Sequence, residues 1–397
     1  MRKRIFFIAG ILRKIAVKIA VIKFKIKKKI GLLGKPVIQP YFGYGNNQEV
    51  YVHGRVIENN ILSKPIHKYK IWDNVYAMYK RYLSDSIPNV NVHIKFNGQT
   101  QKVCSNSLGY FGTTLKVTDQ VVKDWVNVEF QLMDKIQKNQ KDVRSTGQIL
   151  ISHENRQFGI ISDVDDTILV SKATKFIKKI RLLLLKNAHT RLPFEGVAAF
   201  YHALQKGKNG NSFNPIFYVS SSSWKLYDLL IEFCDVRGIP KGPFFLRTSR
   251  LDQFKFISSI HLNHKLQQIE KIMSMYPDLR FILIGDSGQK DPEIYKQVIQ
   301  DFPGRVEAIF IRDVSKEGRD IEIKSLGEKL LNDAGVELYY VESTTQAAKI
   351  ALAKGYISRE CIKDIIREKI EDEHSTDDPE ELMKEEEQQH KAIVDHK

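Results

Sequence analysis

The chain reads as an α/β protein in which a doubly wound parallel sheet follows an N-terminal mostly-β part, and three observations predict it. First, from about residue 156 apolar runs alternate with amphipathic helical stretches. The runs Phe158–Ser162, Ile216–Ser220, Phe281–Ile284 and Val306–Ile311 fit strands buried on both faces. The helical stretches fall near Thr174–Lys186, Val197–Lys206, Lys225–Arg237, His264–Tyr276 and Pro292–Asp301. Second, residues 36–155 carry short strand patterns of period two instead. Third, 397 residues exceed one ordinary core and suffice for two domains with tails.

The predicted organisation follows. Residues 1–35 form a basic amphipathic segment, 36–155 a β-sandwich-like domain, 156–355 the α/β domain and 356–397 a charged tail, helical or disordered. In the β part, Glu49–Ile57 and Trp125–Met133 alternate apolar and polar residues. Asn97-Gly98 between two such runs is a hairpin signal, because both residues tolerate the positive φ of a type I′ turn. Tyr69–Tyr82 reads as a helical insertion. This part holds no acid–base pair, ligand cluster or phosphate loop, so a scaffold or recognition role with an unknown partner is expected.

Charge is unevenly placed around a formal net of +15. Residues 1–29 contain eleven Lys and Arg and no acid, whereas residues 371–397 contain eleven acids and three Lys. Such a chain seeks anionic partners. No RNA-binding pattern of interleaved aromatic and basic residues is present, which ranks nucleic acid last. At the N-terminus Lys14, Lys18, Lys25 and Lys29 share one helical face, while Ile8, Ile11, Leu12, Ile15 and Ile22 lie largely elsewhere. This pattern suits a helix lying in a membrane interface. A signal peptide and a helix on the protein's own surface are the alternatives; the charges are too frequent for a span. Three scattered cysteines (Cys104, Cys234, Cys361) form neither a disulfide framework nor a zinc pattern. They read as buried small hydrophobes in a reducing, cytoplasmic setting.

The chemistry is carried by residues at the ends of four predicted strands. The first strand ends in Asp163 and Asp165, with Asp166 beside them; carboxylates so crowded are costly without a cation. Hard oxygen ligands at a strand end suit Mg²⁺. The second ends in Ser220, whose hydroxyl can donate to a phosphoryl oxygen. Ser221, Ser222 and Ser223 read as caps of the following helix. Lys265, at the start of a later helix, can balance aspartates and phosphate. The fourth strand ends in Gly285-Asp286, and Asp291 follows five residues on. Both acids could reach the metal held by Asp163. In such sheets ligands bind at the carboxyl ends of the strands.

Taken in order, Asp-x-Asp-x-Thr, Ser, Lys and Gly-Asp-x-x-x-x-Asp resemble the haloacid dehalogenase superfamily. "SDVDDTI", "YVSSSSW", "HKLQQI" and "GDSGQKDPEIY" are similar to the catalytic domain of the actin-patch-type phosphatidate phosphatases. "VYVHGRV" is similar to the preceding domain of many members, so the resemblance spans roughly residues 36–350. It implies Mg²⁺-dependent hydrolysis of phosphatidate, or another anionic phospholipid monoester, at a membrane surface. By position, Asp163 is then the nucleophile and Asp165 the general acid–base. Thr167 steadies the loop and, with Ser220 and Lys265, serves the phosphoryl group. Asp163, Asp286 and the carbonyl of Asp165 hold Mg²⁺, with Asp291 orienting that shell. Lys265 is chosen over Lys255 and Lys271 through the sequence His264-Lys265-Leu266. Arg247 is an alternative phosphate ligand or an ordinary ion pair. The basic, leucine-rich stretch between Ser171 and Pro193 falls where a cap would sit. A phosphatase for a soluble ester or phosphoprotein, and a non-catalytic interaction protein, are the competing readings.

Overall fold

The computed structural model describes residues 18–59, 84–119, 121–153, 156–164, 195–247, 258–314 and 318–374. The insertion expected at Tyr69–Tyr82, the helix at Thr174–Lys186, the stretch Ser171–Pro193 and the motif residues Asp165, Asp166 and Thr167 lie outside the described residues.

Strands alternate with helices where the sequence pattern changes. β9 (Gly159–Asp163), β10 (Ile216–Ser223), β11 (Phe244–Arg247), β12 (Phe281–Asp286), β13 (Val306–Arg312) and β14 (Leu338–Val341) form one sheet in the order β11-β10-β9-β12-β13-β14. Every pairing is parallel. The chain moves outward from β9 in one direction to β11, then returns to β9's other side at β12. That reversal opens a crevice at the carboxyl ends of β9 and β12. The helices are α2 (Val197–Lys206), α3 (Tyr227–Val236), α4 (Ser258–Met275), α5 (Asp291–Asp301), α6 (Arg319–Ala334), α7 (Thr344–Ala353) and α8 (Cys361–His374). Two cores result because successive strand residues point to opposite faces. Ile160, Tyr218, Ile282 and Phe310 pack with α2, α3, α7 and α8 on one face. Ile161, Phe217, Leu283 and Ile309 pack with α4, α5 and α6 on the other.

The remaining strands are β1 (Lys35–Pro40), β2 (Gly43–Gly45), β3 (Glu49–Asn59), β4 (Asn91–Phe96), β5 (Gln99–Cys104), β6 (Tyr110–Lys116), β7 (Trp125–Leu132) and β8 (Arg144–Ile151). They make one eight-stranded sheet, β1-β3-β2-β8-β7-β4-β5, with β6 on β3. The sandwich expectation is corrected in one respect. The groups β6-β3-β1 and β8-β7-β4-β5 are not separate sheets, because β2 pairs antiparallel with β3 and parallel with β8. The sheet encloses its own core, including Val52, Ile94, Phe111 and Phe130. Asn97 and Gly98 both have positive φ, 49° and 72°, and join Phe96 to Gln99 as the hairpin signal predicts.

Helix α1 covers residues 18–29. Lys27 Nζ donates to Glu58 Oε2 (2.7 Å) and Asp85 Oδ2 (2.9 Å), and Lys23 Nζ to Asp85 Oδ1 (2.8 Å). Phe24 packs on the core of the β part. Residues 1–17 lie outside the described residues. Helix α8 falls within the stretch expected as tail and buries Ile365 against α2. Its Glu368 accepts from Ala198 N (3.0 Å) and Ala199 N (2.8 Å), and Asp372 from Gly196 N (2.8 Å). These acids satisfy amides that the first turn of α2 cannot pair internally. The cysteines carry no disulfide, and Cys104 is exposed on edge strand β5, against the expectation that all three are buried.

Candidate active site

The site grows out of strand ends that register brings level. Asp163 closes β9, where Val219 of β10 is its partner, so Ser220 stands one residue beyond. On the other side Ile284 pairs with Ser162, and β12 continues to Asp286. The four-residue loop from Ser287 to Lys290 leads into α5, with Asp291 in its first turn beside Pro292. Carboxylate oxygens of Asp163, Asp286 and Asp291 all lie within 4.8 Å of one another.

A buried lysine ties them together. Lys265 Nζ stands 2.7 Å from Asp163 Oδ1 and 3.0 Å from Asp291 Oδ1, and donates to Gln289 Oε1 at 3.1 Å. Asp291 is fully buried, and Asp286 N donates to its Oδ2 at 3.0 Å. Gly285 permits this approach: a Cβ there would sit 2.6 Å from Asp291 Oδ2 and 2.7 Å from Asp291 Cβ. Asp291 therefore has one oxygen on Lys265 and the other on the backbone, and acts as a brace. Asp286 Oδ1 accepts from Gln289 N (3.0 Å), which turns the loop back on itself. The Gln289 amide Nε2 lies 3.4 Å from Asp163 Oδ2 and 3.3 Å from Asp286 Oδ2. Three carboxylates against one lysine leave this set acidic, and its donors are all hard oxygens. That donor chemistry fits a small divalent cation, with Asp163 and Asp286 presenting the oxygens.

The structure places the remaining expected residues as follows. Lys265 does not start its helix: α4 already covers Ser258, so Lys265 sits two turns in, which explains its burial and fixed direction. Ser220 is fully buried, and its Oγ accepts from Ser222 N (3.0 Å). β10 runs through Ser223, so Ser221 and Ser222 are strand residues rather than caps. Only Ser223 caps, accepting from Lys225 N at 3.4 Å on the turn Trp224–Leu226. Arg247 is buried and its Nε donates to Ser221 O, which makes it a brace of β10. Lys271 donates to Gln268 Oε1 (3.3 Å). Lys255 lies outside the described residues. Sequence reasoning missed Gln289, although its position between Asp286 and Asp291 in the same loop was the available signal. It also missed Tyr201, whose hydroxyl is 2.7 Å from Ser162 Oγ and whose pKa burial raises to about 12. That neutral phenol steadies β9 one residue before Asp163.

Behind β10, the two sheets meet in an aromatic seam. Tyr41 stacks on Trp224 at 4.4 Å between centroids, and His53 meets Trp224 edge-on at 4.9 Å. Beside this seam Tyr227 Oη accepts the N–H of Phe42 at 2.9 Å. Gln39 Nε2 donates to Asp228 Oδ1 (2.7 Å). Burial pulls the His53 pKa down to about 4, with Lys271 adding to the effect and the Phe42 carbonyl opposing it.

A parallel α/β sheet with acids from adjacent strand ends around a buried lysine defines the class: an α/β protein with an oxygen-donor acidic site. Comparison with known proteins then shows what the chain is similar to. Residues 158–313 match the family model described as the phosphatidate phosphatase APP1 catalytic domain, so over those residues the resemblance of the motifs to that catalytic domain stands. The chain is 27% identical over 289 residues to phosphatidate phosphatase APP1 of Saccharomyces cerevisiae, covering 70% of this chain and 47% of that one. It is 24% identical over 263 residues to an uncharacterised protein of Schizosaccharomyces pombe, covering 61% of this chain and 38% of that one. The chain thus spans less than half the length of these curated relatives. Among solved structures, purple acid phosphatase PPD1 from yellow lupin aligns over 70% of this chain and 58% of that one. Its identity of 9% and TM-score of 0.31 carry no argument.

Proposed function

We propose that the chain is a Mg²⁺-dependent phosphatase of the haloacid dehalogenase type that hydrolyses a lipid phosphomonoester, phosphatidate to diacylglycerol and phosphate. The observation that carries this reading is the ion pair of Asp163 with buried Lys265 inside a cluster of three carboxylates at the strand ends. The lipid substrate rests on the similarity to phosphatidate phosphatase APP1.

In this mechanism Asp163 and Asp286 would hold Mg²⁺, with the Asp165 carbonyl as the further ligand that the family resemblance implies. The bound cation would supply charge neutralisation of the phosphoryl oxygens. A carboxylate oxygen of Asp163 attacks phosphorus, forming an acyl phosphate as the bond to the lipid oxygen breaks. Asp165 delivers a proton to the departing alkoxide. It then takes one from the water that attacks the acyl phosphate, releasing phosphate and restoring the Asp163 carboxylate. Lys265 and Ser220 hold phosphoryl oxygens, with Thr167 steadying the loop, and Asp291 keeps Lys265 aimed at Asp163.

The test is phosphate release from phosphatidate in mixed vesicles against a panel of soluble phosphomonoesters, with Mg²⁺ and with chelator. Preferred turnover of the lipid, abolished by chelator and restored by Mg²⁺, is expected. Turnover confined to soluble esters would refute the lipid assignment, and turnover surviving chelation would refute the metal.

A further inference from the structure

Helix α1 has two apolar faces, one of which seats Phe24 on the core of the β part while the other is open to solvent. An amphipathic helix normally buries its apolar stripe and offers its charges to water. Here one lysine faces inward beside Phe24: Lys27 reaches Glu58, which is 1% exposed, and shares Asp85 with Lys23. The isoleucines face outward. Ile19, Ile22, Ile26 and Ile30, spaced by three and four residues, form one stripe, and Leu32 follows it; each is more than half exposed. Lys18, Lys25 and Lys29 border that stripe along one edge and Lys23 along the other. From residue 18 to residue 35 there are seven lysines and no acid.

We propose that this outward face of α1 is a docking surface for an anionic phospholipid bilayer. The isoleucines enter the acyl boundary and the bordering lysines meet lipid phosphates. Charge complementarity selects this occupant. A second copy of the chain would set lysine rows against lysine rows, a like-charge juxtaposition that opposes pairing. A bilayer with anionic headgroups takes both the apolar stripe and its basic borders. The Lys27 ion pairs fix the orientation, because rolling the stripe inward would strip buried Glu58 of its cation. The proposal deepens the lipid reading above by naming the surface on which that reaction would take place. It makes no use of catalytic residues.

The experiment is co-sedimentation of the full chain with phosphatidylcholine vesicles, with and without phosphatidylserine, neither of which is a phosphomonoester. Wild type is compared with I22Q/I26Q and K18Q/K25Q/K29Q, alongside thermal melting, oligomeric state and turnover of a soluble phosphomonoester. Wild type is expected to bind the phosphatidylserine vesicles and to be released by salt. I22Q/I26Q should weaken binding at least about tenfold. The triple lysine variant should weaken it on the order of 100-fold. Melting and soluble turnover should be unchanged. Equal partitioning of wild type and I22Q/I26Q, or no binding by wild type, would overturn the proposal. So would a dimer of wild type that I22Q/I26Q dissociates while vesicle binding persists. Vesicle binding with this mutational profile in a chain that turns over no ester would sustain the docking surface and refute only the phosphatase reading.

Discussion

Asp163 and Lys265 face each other at 2.7 Å in a nearly dry setting, so each depends on the other's charge. Asp163→Asn and Asp165→Asn are each expected to lower kcat by about 10³-fold or more, whereas Ser222→Ala, which leaves the carboxylates untouched, keeps most of it. Single-turnover phosphate release measures this directly. His53 carries a separate expectation for stability. Its folded pKa of about 4 lies below the ordinary 6.5 of a free imidazole, so its contribution is fully present above the unfolded value and is lost as pH falls from 6.5 towards 4. The loss is on the order of 3 kcal/mol, and His53→Gln should flatten it in urea titrations across that range. The acids of the site were legible in the sequence because a strand end followed at once by aspartates is a local pattern. Gln289 was hinted at only by its place in the loop, since its contacts to both Asp163 and Asp286 exist only once β9 and β12 lie side by side.

Among the elements, the loop between β12 and α5 does the most positioning. Gly285→Ala would push a methyl into Asp291, which is held by backbone and lysine and has no room to yield. It should lower Tm and turnover together, with turnover falling further, as melting and kinetics on one preparation would reveal. In α1, Lys27→Met leaves Glu58 buried without its cation and should cost about 3 kcal/mol. Lys25→Met, exposed on the same helix, should cost near zero in equilibrium denaturation. Periodicity found the strands β9, β10, β12 and β13 and most of their helices. It misplaced the start of α4 because Ser258 to Asn263 are mainly small or polar residues without an apolar stripe. It ended β10 too early because a run of serines carries no apolar pattern, and the strand is carried on by pairing with β11, where Ser223 registers with Arg247.

For the molecule as a whole, the two sheets share side chains rather than merely touching. Tyr41 belongs to one core of the α/β sheet and Tyr44 to the other, although both come from the β part. Tyr41→Ala is expected to cost about 3 to 5 kcal/mol and to perturb the β10 end of the site through Trp224. Fluorescence and activity should then be lost in one coincident transition in wild type. This seam was invisible in the sequence, because aromatic residues scattered over strands and turns carry no periodic mark of a contact some 180 residues away in the chain.

The hold of α8 on the start of α2 bears on where the chain can be cut. A fragment ending at residue 355, where composition alone places the boundary, would discard Glu368 and Asp372 and with them the acceptors for three amides. It would also uncover the side of α2 that Ile365 protects. Truncation for crystallisation or expression should therefore stop no earlier than residue 374.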